Sequence, residues 1–192
     1  MTNPLSSPVE KSPADDSPVD NSLFEIELLK FDWERMECGC GESAAHLPPR
    51  IRDLITLDEA HGGGEAFLTA LHDHVMTPAD ELLPVSSAFV SVAFAALTGP
   101  LSEPARRETL GWVLRILGPA VDSGGPVAEA CVAAAREGLW VLYSEVMQGA
   151  SAAGAAYAFE TLMLIEEDLD RLRAVQAAAG DRLPGDLASE EI

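Results

Sequence analysis

Two cysteines and a histidine lie close together in a glycine-containing loop. They are Cys38, Cys40 and His46, and Gly39 and Gly41 flank the second cysteine. Thiolates and imidazoles are the ligands that zinc prefers, and a glycine loop can wrap around a metal ion. A tetrahedral site needs a fourth ligand from elsewhere, and Cys-x-Cys is less typical of zinc sites than Cys-x₂-Cys. The sequence therefore predicts a candidate metal site at these three residues, with ordinary loop thiols as the alternative.

A pair of histidines, His72 and His74, falls in a segment with helical periodicity. Residues two positions apart on an α-helix point about 200° away from each other. These two imidazoles therefore cannot bind one ion together, and we expect one at the edge of the core and the other in solvent. The third cysteine, Cys131, lies on or near the buried side of a predicted helix, where a free thiol behaves as a small hydrophobe.

Four carboxylates cluster near the end of the chain: Glu166, Glu167, Asp168 and Asp170. General acid–base catalysis needs carboxylates in a cleft that drives their pKa values apart. A solvated helix face, neutralised by arginines, explains this cluster more simply. We therefore predict no catalytic residues and assign the four acids to a candidate interaction surface. Glu167 and Arg171 are expected to form an ion pair one helical turn apart.

The charge of the chain restricts its partners. The formal net charge is -20 over 192 residues, and each end of the chain carries -3, so -14 remains on the body. A field of this sign repels phosphate backbones and anionic lipid headgroups, which argues against nucleic-acid or membrane binding. It favours a basic protein partner, although solubility alone is the simpler explanation. No cofactor is expected. Because no secretory signal is visible and three cysteines cannot all pair with one another, we expect a cytoplasmic protein with reduced thiols.

The apolar pattern predicts helices throughout. Three helix pairs begin near Leu47, Pro84 and Pro126, and start-to-start spacings of about 37 and 42 residues are typical of two-helix repeats such as HEAT. Alternating strand patterns are absent. The predicted fold class is all-α: a short HEAT-like α-solenoid of about three helix pairs, with a closed helical bundle as the alternative. Residues 1–21 are predicted to be a disordered tail, 22–180 the helical domain, and 181–192 a flexible acidic tail.

Several helix ends and anchors follow from single residues. Ser102 is expected to cap a helix that ends before Gly118-Pro119. The third pair is expected to open at Pro126 and to end at Gly149, with one apolar stripe through it. Another helix is expected to pass through the acidic cluster and stop near Gly180. Trp112 and Trp140 are predicted to be packing anchors within helices.

Two stretches of the chain carry a family resemblance. Their residues are Asp32-Trp33, Met36, Gly41, Ser43-Ala44, Leu47-Pro48, Ile51, Leu54 and the stretch 84–90. This part of the chain, roughly residues 31–117, resembles a group of bacterial HEAT-like helical repeat proteins. The resemblance implies a HEAT-like solenoid used as a protein-binding scaffold, and it implies no catalytic residues.

Three classes of function remain open, and the sequence favours the first. The first is a non-enzymatic, acidic interaction module, of which an immunity protein that neutralises a basic toxin is a special case. The second is an enzyme or ligand-binding protein of secondary metabolism, with a pocket between helices. Its candidate residues are His72, His74, Tyr143 and Glu145. A zinc-stabilised or thiol-switching regulator that uses Cys38 and Cys40 is a third hypothesis.

Overall fold

The computed structural model describes residues 22–58, 71, 73–77 and 79–192, and within these it contains helices and no strand. The prediction of an all-α fold is confirmed. The predicted tail at residues 1–21 and the residue His72 lie outside the described residues. The α-helices are α1 Ser22–Leu28, α2 Leu47–Ile55, α3 Pro84–Leu97, α4 Glu103–Ser123, α5 Pro126–Glu137, α6 Leu139–Gln148, α7 Ala152–Ile165, α8 Leu169–Ala179 and α9 Gly185–Ala188.

The described helices pack around α4. This helix contacts α2, α3, α5 and α7, while α1 packs on α3 and α6 packs on both α7 and α8. Trp112, Ile116 and Leu117 of α4 are fully buried. Among the described helices, none is both long enough and apolar enough to cross a membrane.

Helix α4 begins as expected but ends later. The Ser102 side chain accepts a hydrogen bond from Ala105 N–H at 3.2 Å, which is the predicted N-cap. The helix then continues past Pro119 to Ser123, so the predicted end at Gly118-Pro119 is wrong. Ala120 is buried in the core, and this packing offsets the hydrogen bond that a proline cannot donate. The helix stops before Gly124, whose φ of +65° favours glycine.

The third pair, expected from Pro126 to Gly149 with one apolar stripe, contains two helices, α5 and α6. They meet at Gly138, where an added Cβ would lie 2.1 Å from the ring of Phe94 in α3. The chain therefore needs a residue without a side chain at this position, where one helix ends and the next begins.

The helix predicted through the acidic cluster is also interrupted. Helix α7 ends at Ile165 and α8 begins at Leu169, with Asp168 as its N-cap. The Asp168 carboxylate accepts a hydrogen bond from Arg171 N–H at 3.0 Å. Residues 181–192, expected to be a flexible tail, contain α9, and Leu183 and Leu187 are buried against the core.

Candidate metal centre

Four ligating side chains converge at one place in the described structure. Cys38, Cys40, His46 and His74 each offer one ligand atom, and all four atoms lie within 4.8 Å of one another. The three residues that the sequence proposed are thus together. The fourth candidate ligand is His74, for which the sequence predicts a position at the edge of the core or in solvent.

Three distances between the candidate ligand atoms resemble those around a single ion. Cys38 Sγ lies 3.1 Å from His74 Nδ1 and 3.5 Å from His46 Nε2, and the two nitrogens are 3.0 Å apart. Zn–S bonds of about 2.3 Å and Zn–N bonds of about 2.0 Å in a tetrahedron place ligand atoms roughly 3.3–3.8 Å apart. Shifts of a few tenths of an ångström would therefore fit these three atoms to a zinc ion. The largest separation in the cluster, up to 4.8 Å, would have to close by about 1 Å.

The two cysteines lie in a tight loop. Cys38 N–H donates to Glu42 O at 2.9 Å, and Gly41 N–H donates to Cys38 O at the same distance. Gly41 has a φ of +81°, which favours glycine. Ser43 then leads into a short 3-10 helix, Ala44–His46, which continues directly into α2. This arrangement brings His46 back towards Cys38.

The loop is seated against the segment that carries His74. Gly39 N–H donates to His74 O at 3.1 Å, and the Cys38 thiol donates to the same carbonyl at 3.3 Å. A Cβ atom on residue 39 would lie 2.4 Å from Asp73 O and 2.8 Å from Met76 O. Only glycine fits this contact, and the fit places Cys38 beside the His74 ring.

The His74 segment is itself anchored in the core. Val75 and Met76 are fully buried, and the Ser86 hydroxyl of α3 donates a hydrogen bond to Val75 O. Leu47, the residue after His46, is also fully buried. Both histidines are therefore held by neighbouring residues that cannot leave the core without a large loss of apolar burial.

Burial favours the uncharged forms of Cys38 and His74. Burial, the largest cause, together with the neighbouring Cys40 thiol, raises the pKa of Cys38 to about 11. Burial also lowers the pKa of His74, helped by the positive charge of Arg50 and opposed by Asp73 and Glu42. A neutral imidazole is the form that binds metal, whereas the thiol must lose its proton.

The chemistry of the donor set favours zinc. Two sulfur and two nitrogen ligands in a tetrahedron are typical of zinc. In iron–sulfur clusters with two cysteines and two histidines, the cysteines bind one iron and the histidines the other. Here Cys38 Sγ is within 3.5 Å of both imidazole nitrogens, an arrangement that suits one shared ion and not a cluster of two irons.

Of the four acidic residues proposed as an interaction surface, Glu166 is not on the solvated face that the sequence predicts. Glu166 is buried: its carboxylate accepts hydrogen bonds from Tyr143 O–H and, at 2.8 Å, from Asp168 N–H, and it lies 3.1 Å from the Arg171 guanidinium. Burial raises the pKa of Glu166, but these donors and the charge of Arg171 together lower it below its usual value. Glu166 is therefore a structural carboxylate.

The other three acids are exposed and paired with arginines. Asp168 pairs with Arg171 and Asp170 with Arg173. The expected pair between Glu167 and Arg171 is not formed: Glu167 instead lies 2.6 Å from the Arg136 guanidinium. The cause is the break between α7 and α8, which removes the helical register that the expectation assumed.

Of the residues proposed for a small-molecule pocket, the three that the structure describes have separate partners, and His72 lies outside the described residues. Tyr143 donates to Glu166, Glu145 pairs with Arg106, and His74 belongs to the metal cluster. Each side chain already has a partner in a different part of the fold.

No protein-family model matches this chain, and neither a search of curated proteins nor one of solved structures found a match. The resemblance to HEAT-like repeat proteins therefore stays a prediction.

Proposed function

We propose that the protein is a non-catalytic helical module stabilised by one zinc ion. The observation that carries this proposal is the convergence of Cys38, Cys40, His46 and His74, whose ligand atoms lie within 4.8 Å of one another. Four protein ligands fill a tetrahedral zinc ion and leave no position for a substrate or an activated water. The ion would therefore stabilise the fold.

The structural benefit of the ion follows from where its ligands lie. His74 is 28 residues after His46 and 36 after Cys38. A zinc ion would cross-link these segments and restrict the unfolded chain, as any closure of a long loop does. Structural zinc ions in small domains contribute about 10–16 kcal/mol of apparent binding free energy, so a large effect on stability is expected.

The metal content of the purified protein tests this proposal. We expect close to one zinc per chain by elemental analysis, and removal by a strong chelator should lower the melting temperature. His74→Ala should lose the zinc, whereas Cys131→Ala, which changes a buried cysteine outside the cluster, should keep it. A wild-type protein purified with zinc in the medium but without bound metal would refute the proposal.

We further propose that the module contacts a basic protein, with inhibition of a basic toxin as a special case. The support is the net charge of -20, because opposite fields accelerate encounter. Basic proteins should be retained on the immobilised protein at low salt and released at high salt. Retention of no protein at low salt would contradict this role.

For the arrangement of helices, we propose the closed bundle in preference to the solenoid. In a simple row of stacked pairs, each pair contacts only its neighbours. Here α4, from the pair α3–α4, packs on α7 as well as on α5. A central helix that contacts several helices further along the chain is more typical of a bundle.

A further inference from the structure

The two cysteines of the candidate metal centre differ in their access to solvent. Cys40 is exposed, whereas Cys38 is buried with 1% of its surface accessible. Their sulfur atoms belong to the same cluster, within 4.8 Å. A reagent that arrives from solvent therefore meets Cys40 first, with the Cys38 sulfur next to it.

The backbone between them allows a disulfide. Two residues along a fully extended chain span about 7 Å, which is beyond the roughly 4.4–6.8 Å between the Cα atoms of disulfide-bonded cysteines. The hydrogen bond of 2.9 Å from Gly41 N–H to Cys38 O folds this segment into a turn and so shortens the span. Gly39, the residue between the cysteines, adds no side chain that would obstruct the bond.

We propose that Cys38 and Cys40 are an oxidation site, at which a hydroperoxide converts the two zinc-bound thiolates into a disulfide and expels the metal ion. This inference rests on the proposed zinc binding. It gives the centre a second property, sensitivity to oxidants, which a purely structural zinc site with fully buried sulfurs would lack.

The reaction balances with hydrogen peroxide as the oxidant. The Cys40 thiolate attacks one peroxide oxygen, the O–O bond breaks, and a sulfenic acid and hydroxide form. The Cys38 thiolate then attacks Cys40 Sγ, forms the S–S bond and displaces the second hydroxide. The two sulfurs lose two electrons in total, and two protons from solvent convert the hydroxides into water.

Loss of the ion follows from the change in the ligands. Disulfide sulfur carries no negative charge, and the thiolate is the form that binds zinc. Only the neutral imidazoles of His46 and His74 would remain at the centre. The third thiol, Cys131, provides an internal control because it is fully buried in α5 and lies outside the cluster.

The experiment treats the zinc-loaded, full-length protein with hydrogen peroxide. Released zinc is followed with a chromogenic chelator, and disulfides are located by mass spectrometry of peptides. We expect one zinc released per chain, a mass loss of about 2 Da, and a disulfide that joins Cys38 to Cys40. A thiol reductant with added zinc should restore the starting state.

Two variants sharpen the test. Cys131→Ala should behave like the wild type. Cys40→Ser should form no intramolecular disulfide, and peroxide should consume its Cys38 at least about tenfold more slowly, because reactivity follows exposure. If Cys40→Ser does not fold, disulfide mapping in the wild type and in Cys131→Ala decides the matter.

The outcomes separate this inference from the proposed function. A protein that carries zinc but keeps its thiols under peroxide, or oxidises without joining Cys38 to Cys40, overturns the inference and leaves the zinc proposal intact. A protein that carries no zinc before oxidation overturns the proposed function, and with it the expulsion of metal. Formation of the disulfide with the zinc retained overturns the inference as well.

Discussion

Replacing Gly39 with alanine tests whether the seating of the cysteine loop forms the metal centre. The new Cβ atom would lie 2.4 Å from Asp73 O and 2.8 Å from Met76 O. Both atoms belong to the backbone, so neither can rotate away as a side chain would. The loop would have to move outwards, which breaks the hydrogen bond of 3.1 Å from Gly39 N–H to His74 O.

The size of the effect follows from these two costs. The lost hydrogen bond costs about 1 kcal/mol, and accommodation of an overpacked atom costs about 1–3 kcal/mol. The sum of about 2–4 kcal/mol corresponds to a loss of roughly 30- to 1,000-fold in zinc affinity, since about 1.4 kcal/mol is a factor of ten.

The assay is a zinc titration in competition with a chelator of known affinity. Gly41→Ala is the matched control: residue 41 has a φ of +81°, but its added Cβ would meet nothing within 4 Å. That variant carries only left-handed backbone strain of about 1–2 kcal/mol, so its loss of affinity should be smaller. If Gly39→Ala binds zinc as tightly as Gly41→Ala or the wild type, the contact of residue 39 with the His74 segment does not form the metal centre.

Three further predictions concern protons and packing. Zinc binding should release close to two protons near neutral pH, because zinc binds the thiolate form of both cysteines and the pKa of Cys38 is about 11. Calorimetry in buffers of different ionisation enthalpy measures the number of protons released. An absence of proton release would contradict thiolate ligation. Glu166→Gln should destabilise the protein by about 1–3 kcal/mol at neutral pH. Because folding lowers the pKa of Glu166 below 4.5, its contribution is complete above that pH and is lost as the pH falls through the folded value, so chemical denaturation should show the two proteins converging in acid. Gly138→Ala should destabilise the protein by about 1–3 kcal/mol because its Cβ would lie 2.1 Å from the Phe94 ring. In thermal melts, adding Phe94→Leu should restore part of the lost stability. If the stability losses of the two substitutions simply add, the predicted contact is wrong.

The sequence predicted the helices where apolar periodicity and capping residues agree. The residues Leu47, Ile51, Leu54 and Ile55 form the buried stripe of α2, and Ser102 caps α4. The apolar pattern does not reveal a helix break that depends on a tertiary contact. The break at Gly138 depends on the ring of a residue in another helix, which no local pattern reveals.

The metal site was predictable only in its local part. Cys38, Cys40 and His46 are near one another in the chain, so their shared chemistry is visible without a structure. His74 comes from a segment 28 residues after His46, and its position depends on the Gly39 contact. The helical spacing of His72 and His74 gives no sign that His74 lies beside the cysteines.

Tryptophan exposure was the other feature that periodicity could not resolve. Trp112 is fully buried, as expected for a packing anchor, but Trp140 is 72% exposed. Trp140 is the second residue of α6, and its ring lies against the Arg171 guanidinium, 5.6 Å from it, on the protein surface. An aromatic residue at helical spacing indicates a helix, but the neighbouring helices decide which of its faces is covered.

X-ray absorption spectroscopy at the zinc edge measures whether one ion joins the four side chains. We expect a four-coordinate ion with two sulfur atoms at about 2.3 Å and two nitrogen atoms at about 2.0–2.1 Å. His74→Ala should remove one nitrogen from that shell or abolish binding. A shell of oxygen and nitrogen atoms without sulfur, or a protein that retains no zinc, would contradict the proposed zinc site.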